Sequence, residues 1–300
     1  MATAFLEVEW PNAQSENSDF HVIPVPYEAS VSYGGGTKNG PDAIIEASNQ
    51  LEIFDLFFNP TTKPLKIHTK EAVDCNGRPG EVLERIRHTV SDTLKQKAVP
   101  VVLGGEHTVT YGAALALSEK GEKFGIVQFD AHADMRYAYD ETSLCDVTSE
   151  DNVPEDSKFS HACVMRRCHE LGIPVFGIAL RAFSKEEHLY MKEQGIKNLT
   201  AFDIAQSKGK YLDREILPLD FPKNIYISFD VDGLDPSVIR ATGTPVPGGL
   251  FWQEAMDILK NIQQGRQIIG IDVTELAPCD NDNASNFAAA LLTYRLMCMV

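Results

Sequence analysis

Asp130, His132 and Asp134 occupy alternate positions in Phe129-Asp-Ala-His-Ala-Asp-Met-Arg136. On a chain still extended as it leaves a strand, that spacing sends all three side chains to one side. Two hard carboxylates and a borderline imidazole converging on one point describe a divalent-metal site rather than a packed core. The device recurs about a hundred residues later, where Ile225-Tyr-Ile-Ser-Phe229 runs into Asp230-Val-Asp232-Gly-Leu-Asp235-Pro236. Upstream, Gly104-Gly-Glu106-His107-Thr108 also closes an apolar run.

His107, Asp130, His132, Asp134, Asp230 and Asp232 therefore form a candidate ligand set for two divalent ions, four aspartates against four positive charges. Two ions about 3.5–4 Å apart can hold a water between them, lower its pKa toward neutrality and present hydroxide to an electrophilic carbon. Oxygen and imidazole donors without thiolate suit Mn²⁺ better than structural zinc, and leave Ni²⁺, Co²⁺ and Fe²⁺ open. Singly, each residue has a plainer reading: a strand-end Asp often caps a helix, and Asp235-Pro236 reads as a turn. Isolated histidines such as His21, His68, His88, His169 and His188 read as surface or satisfied core. Packing gives no reason to gather the six.

The elements that must position them follow from hydrophobic patterning. Apolar runs predict strands at 20–26, 98–103, 124–129, 173–180, 225–229 and 267–271. Helical spacing predicts helices from near 41, over 81–90, after 108 with His107 in the first turn, and over 161–171, 185–194, 251–262 and 284–297. Such alternation gives an α/β fold with a mostly parallel sheet covered on both faces. Ligands in such sheets bind beyond the carboxyl ends of the strands. Four strands end there in polar residues: Glu106 and His107, Asp130 to Asp134, Asp230 to Asp235, and Asp272 with Glu275. The chain reads as one domain over 1–300, with 1–18 a polar surface arm. Residues 140–156, with seven acids, one proline and no basic residue, form an acidic loop insertion, either solvated surface or a lid. The glycine-rich stretch at 33–41 has no Gly-Lys-Ser/Thr ending and reads as a structural or substrate-rim loop rather than a phosphate cradle.

Composition excludes several classes. With 43% hydrophobic and 23% charged residues the chain is an ordinary soluble globular protein. No stretch of eighteen or more apolar residues is present to cross a bilayer. The N-terminus has no basic n-region and meets acids within its first nine residues, so no signal peptide is expected and a cytoplasmic location is. Six cysteines without a Cys-x-x-Cys pair read as reduced thiols. A formal charge of −16 opposes nucleic acid and anionic membrane and favours a cationic substrate.

Gly-Gly-Glu-His at 104–107, Phe-Asp-Ala-His-Ala-Asp-Met-Arg at 129–136, Ser-Phe-Asp-Val-Asp-Gly-Leu-Asp-Pro at 228–236 and Glu-Leu-Ala-Pro at 275–278 resemble the signatures of the ureohydrolases, the arginase and agmatinase family. The resemblance covers most of the chain. It implies a three-layer α/β/α sandwich, a binuclear manganese site, hydrolysis of a guanidine to urea plus an amine, and a homo-oligomer, trimer or hexamer. The six ligands carry over to the six positions named above, and Glu275 matches the carboxylate that grips the guanidinium. His161, in Phe159-Ser-His-Ala-Cys-Val-Met-Arg-Arg167, resembles the agmatinase histidine that shuttles protons to the leaving amine. A general acid belongs there because an alkylamine leaves poorly unless protonated. The plainer reading of His161 is a histidine opening a helix. Asp134 is the second candidate for moving the proton.

Met135-Arg136, the segment around His161 and Pro247-Gly-Gly-Leu250 look like agmatinase, whereas 241–246 also fits arginase. The arginase segment that holds an α-carboxylate is not recognisable, and the acidic insertion stands in its place. An acidic rim suits a substrate ending in an ammonium, so agmatine, giving urea and putrescine, is the expected substrate. Arginine, guanidinobutyrate and free guanidine are the alternatives. Ala179 stands where the family often has glycine. A two-metal phosphoesterase is disfavoured, because beyond Arg136 no Arg or Lys stands among the motifs to hold a phosphate. A silent metal-binding regulator is disfavoured by the complete residue set.

Overall fold

Eight strands pair side by side, every pair parallel, in a computed structural model that describes residues 4–139 and 153–300. Most of the acidic insertion expected at 140–156 lies outside the described residues. The strands are β1 (Phe20–Val25), β2 (Ile67–Thr69), β3 (Val99–Gly104), β4 (Phe124–Phe129), β5 (Val175–Ile178), β6 (Asn198–Leu199), β7 (Asn224–Asp230) and β8 (Gln267–Thr274), in the spatial order β2-β1-β3-β8-β7-β4-β5-β6. The helices are α1 (Gly40–Ser48), α2 (Pro79–Lys95), α3 (Val109–Glu119), α4 (Val164–Glu170), α5 (Lys185–Gln194), α6 (Ala201–Ser207), α7 (Trp252–Gln263) and α8 (Asn283–Cys298).

Side chains alternate across a strand, so near-continuous apolar strands must be covered on both faces. Val101 and Leu103 of β3 enter one core and Val102 the other; Val127 and Phe129 of β4 oppose Ile126 in the same way. The first core is closed by Ile44 of α1, Leu259 of α7 and Leu292 of α8, the second by Ile86 of α2, Leu117 of α3 and Met165 of α4. The result is the three-layer α/β/α sandwich. In α2, Val82, Ile86 and Val90 stack at successive turns on the buried face, with Pro79 opening the helix and Glu81 in its first turn.

Several expectations change. Part of the surface arm expected at 1–18 is not at the surface: Ala4, Phe5 and Leu6 are buried, and the Phe5 and Leu6 N–H groups donate to Thr69 Oγ1 and Ser48 Oγ. Phe5 and Leu6, two apolar residues inside a polar stretch, join the core that Ile44 of α1 and Ile67 of β2 line. His107 does not lie in the first turn of α3, which begins at Val109; it stands in the preceding turn. The segment from His161 opens with a 3₁₀ turn (His161–Cys163) before α4. β8 runs on to Thr274, because buried Asp272 is satisfied by Thr110 and Ser228. β2, β6 and α6 were not expected; two- and three-residue strands carry no readable period. Among the described residues no helix is long and apolar enough to cross a membrane, and the five described cysteines are free.

Candidate metal centre

The chain leaves β3 and places β4 three positions away; the gap is filled later by β7 and β8. β3, β8, β7 and β4 are thereby neighbours, and all four polar termini meet at one carboxyl edge. Phe129 and Phe229 are register partners with rings stacked at 4.7 Å, so Asp130 and Asp230, the next residues, leave the sheet side by side. Two glycines allow the close approach. A Cβ on Gly105 would stand 2.0 Å from Tyr27 O, and one on Gly233 would stand 2.8 Å from Asp130 N.

Two groups of candidate ligand atoms converge, His107 with Asp130 and Asp134, and Asp130 with His132 and Asp232, each with atoms within 4.8 Å of one another. Asp130 belongs to both. His107 Nδ1 lies 3.1 Å from Asp130 Oδ2, 2.9 Å from Asp134 Oδ2 and 3.4 Å from Asp230 Oδ2, and His132 Nδ1 lies 3.1 Å from Asp232 Oδ2. Asp134 reaches this point with φ of 53°, in the left-handed region that costs a non-glycine residue about 1–3 kcal/mol. Its carbonyl accepts the first free N–H groups of α4, from Met165 and Arg166. Glu187, in the capping box of α5, accepts from Met135 N and holds the loop from the other side.

The donor set fits divalent cations on a feature of the structure itself. His107 Nδ1 is buried without a hydrogen-bond partner although three carboxylate oxygens face it. The reason is the other ring nitrogen: Ser228 Oγ gives its proton to Asp272 Oδ1 at 2.9 Å and so accepts from His107 Nε2–H at 2.8 Å. Thr110 Oγ1 donates to the other oxygen of Asp272. Nδ1 is thus the nitrogen left to face a metal ion, the arrangement by which a buried carboxylate fixes a metal-ligating imidazole. Ser228→Ala is expected to weaken divalent-cation binding by about 10–100-fold with the fold intact, measurable by calorimetric titration.

The electrostatics ask for cations too. Burial pushes Asp134 up to about 7, reinforced by the charge of Asp130, and burial with the charges of Asp232 and Asp130 raises Asp230 well above the carboxylate range. Burial opposes a charged His107, yet Asp130 and Asp134 outweigh it and raise its pKa.

Beside the two groups lies a narrow cleft, about 20 Å³ of free space, lined by five of the six candidate ligands together with Ser30, Ser32, Tyr33, His161, Thr244 and Glu275. Among the described residues no Lys or Arg lines it; Arg136 lies 3.9 Å from Glu187 and over the Tyr139 ring. Glu275 has φ of 64°, and its Oε1 accepts from His107 N at 2.6 Å. Burial and the charge of Glu106 raise its pKa well above the usual range. His161 is pushed down to about 4, first by burial and then by the charges of His132 and His107. A larger cavity, about 740 Å³, lies at the opposite, amino edge of the sheet beside Val99 and Gln267, where no candidate ligand group converges among the described residues.

Residues 18–299 match the model of the arginase family. The chain belongs to that family. This arginase-family chain is 35% identical to an N(1)-aminopropylagmatine ureohydrolase of Synechocystis sp., over 92% of this chain and 87% of that one. It is 30% identical to an agmatinase of Pyrococcus horikoshii over 98% and 96%. Among solved structures it superposes on an agmatine ureohydrolase of Thermoplasma volcanium with a TM-score of 0.82, at 25% identity, over 100% of this chain and 94% of that one. It is therefore a hydrolase of amidino C–N bonds.

In this arginase-family chain, sequence reasoning missed Ser30, Ser32 and Thr244, which line the cleft, and Ser228, which orients His107. Short hydroxyl side chains carry no signal of their own. Ser228 was nonetheless traceable, two residues before Asp230 and so on the same face of β7. Asp272 lies one layer below the site as a support, and Asp235 holds the following turn by accepting from Ser237 N and Gly248 N. Arg181, also unforeseen, donates to the carbonyls of Asp232 and Val246 and pins that wall.

Proposed function

We propose that the protein hydrolyses a guanidino compound bearing a protonated amine at its far end, with agmatine as substrate and urea and putrescine as products. The observation that carries this reading is the cleft, where Glu275 and His161 face the candidate ligands and, among the described residues, no Lys or Arg stands on the walls. A substrate ending in a carboxylate would find no basic partner there.

His107, Asp130, Asp134 and Asp230 would hold one divalent ion and Asp130, His132, Asp230 and Asp232 the other, Mn²⁺ by the nature of the donors. Such a pair supplies an activated water and polarises the group under attack. Glu275, already anchored through Oε1 to His107 N, offers its carboxylate to the guanidinium N–H groups. His161 stands at the cleft to protonate the departing amine, with Asp134 as the group that takes up the proton from water. We further place the enzyme in the cytoplasm, in polyamine formation, as a homo-oligomer.

A second reading has its own support: relatives 32–35% identical to this chain are named N(1)-aminopropylagmatine ureohydrolase. That substrate also ends in an amine. Urea release from agmatine, N(1)-aminopropylagmatine, arginine, guanidinobutyrate and guanidine in parallel tests both. The amine-ended pair is expected to lead by at least about tenfold in kcat/KM, a difference of about 1.4 kcal/mol. Faster turnover of arginine or guanidinobutyrate would overturn the substrate reading.

A further inference from the structure

Two walls of the cleft touch each other through glycine. One is the loop from Ser30 to Gly34, the other the turn at Gly243 and Thr244. Gly34 N donates to Gly243 O at 3.1 Å. The approach is closer than side chains allow: a Cβ on Gly243 would stand 2.7 Å from Gly34 O, and one on Gly34 would stand 3.0 Å from Gly243 O. Neither residue has φ in the left-handed region, so the contact itself, and not the backbone conformation, requires glycine at both positions.

Both walls are also fixed from behind. Glu28 accepts from Gly36 N and Thr37 Oγ1 and holds the first loop just beyond the contact. Arg181 donates to Val246 O at 2.7 Å, and Thr244 Oγ1 donates to Asp232 Oδ2 at 3.3 Å, which holds the second. Loops anchored in this way cannot drift apart without breaking those bonds, so the glycine contact sets their separation. With about 20 Å³ free in the cleft, small displacements of a wall decide what enters.

We propose that the Gly34–Gly243 contact is a specificity-determining gauge, which holds the cleft to the dimensions of an unsubstituted guanidinium and turns away guanidines alkylated on a terminal nitrogen. Its consequence for substrates rests on the reading of the cleft as the guanidine site. A methyl on a terminal nitrogen adds bulk that a fixed wall cannot absorb, and one such group too many in a fitted pocket costs about 10- to 200-fold in kcat/KM. It also removes an N–H that Glu275 could accept from, a loss that moving the walls would not restore. Relaxed selectivity in a widened cleft therefore reports the gauge alone.

Putrescine release is the readout, because agmatine and agmatine methylated on a terminal guanidine nitrogen both yield it, with urea and methylurea as the other products. The Mn²⁺-loaded wild type is expected to favour agmatine by about 10- to 200-fold in kcat/KM. Gly243→Ala must push the walls apart, since its Cβ would meet backbone oxygen at 2.7 Å, and the preference for agmatine is expected to fall by about tenfold. Gly34→Ala, at 3.0 Å, should relax it less. Gly35→Ala is the control in the same loop: its Cβ would meet only the Glu28 carboxyl, no nearer than 3.7 Å, and the preference should stay at the wild-type value. Circular dichroism and metal content confirm that each variant keeps its fold and its ions; if Gly243→Ala does not fold, the milder Gly34→Ala carries the test. A wild type that turns over both substrates equally, or a preference unchanged in the folded variants, overturns the gauge and leaves agmatine as substrate. A wild type that yields no putrescine from agmatine overturns the substrate reading, and the gauge with it.

Discussion

Asp130→Asn is expected to abolish hydrolysis, lowering kcat by more than about 10³-fold, the scale on which preorganised charge at a reacting centre acts. Asp130 belongs to both groups of converging ligand atoms among the described residues, and with Asp230 it is proposed to serve both ions. Each of its oxygens is already committed on the protein side, Oδ1 accepting from His132 N at 2.6 Å and Oδ2 from Gln128 Nε2 at 2.7 Å. An asparagine would turn an NH₂ against one of these donors as well as removing the charge both ions share. The metal content of the purified variant, read by elemental analysis, should fall together with urea release. Asp232→Asn, which touches one group only, should retain more metal than Asp130→Asn. An Asp130→Asn protein with full metal content and near-normal turnover would refute the bridging role.

Glu275→Gln should cost about 2–5 kcal/mol in kcat/KM, the range for truncating one partner of a buried charge pair, or about 30- to 4,000-fold. Glutamine keeps the size of the side chain and an oxygen to accept from His107 N, so the backbone of the site is retained. What is lost is the negative charge facing the guanidinium, an interaction made with the bound substrate as well as in the transition state. The loss should therefore fall more on KM than on kcat. Metal content should not change, because Glu275 stands in neither ligand group. Steady-state kinetics with agmatine and metal analysis of the same preparation check both halves. An unchanged KM would assign the guanidinium grip to another residue.

Which residues converge was legible in the sequence, and how they converge only in part. Alternate spacing picked out Asp130, His132 and Asp134, and the structure brings them together, but Asp134 arrives through a left-handed turn rather than as the third residue of an extended run. Glu275 is turned inward by the same device, φ of 64°, and nothing in residue type announces it. The alternation of apolar runs predicted a parallel sheet covered on both faces, because burial dictates that pattern locally. The order that makes β3, β8, β7 and β4 neighbours is set by crossovers between distant parts of the chain, which local patterning does not record. For the same reason the Gly34–Gly243 contact was invisible: it joins two distant parts of the chain. Part of the N-terminal segment was misjudged because average polarity hid Ala4, Phe5 and Leu6, three buried residues. Ala179, where glycine was the family expectation, has φ of 71°, the conformation in which glycine costs least.

Metal-dependent urea release tests the account most directly. Wild-type protein stripped with a chelator and titrated with Mn²⁺ in the presence of agmatine should be inactive at the start and regain activity in proportion to metal, saturating at two ions per chain. Urea release that survives complete stripping, or that saturates at a single ion, would contradict a binuclear centre built on Asp130.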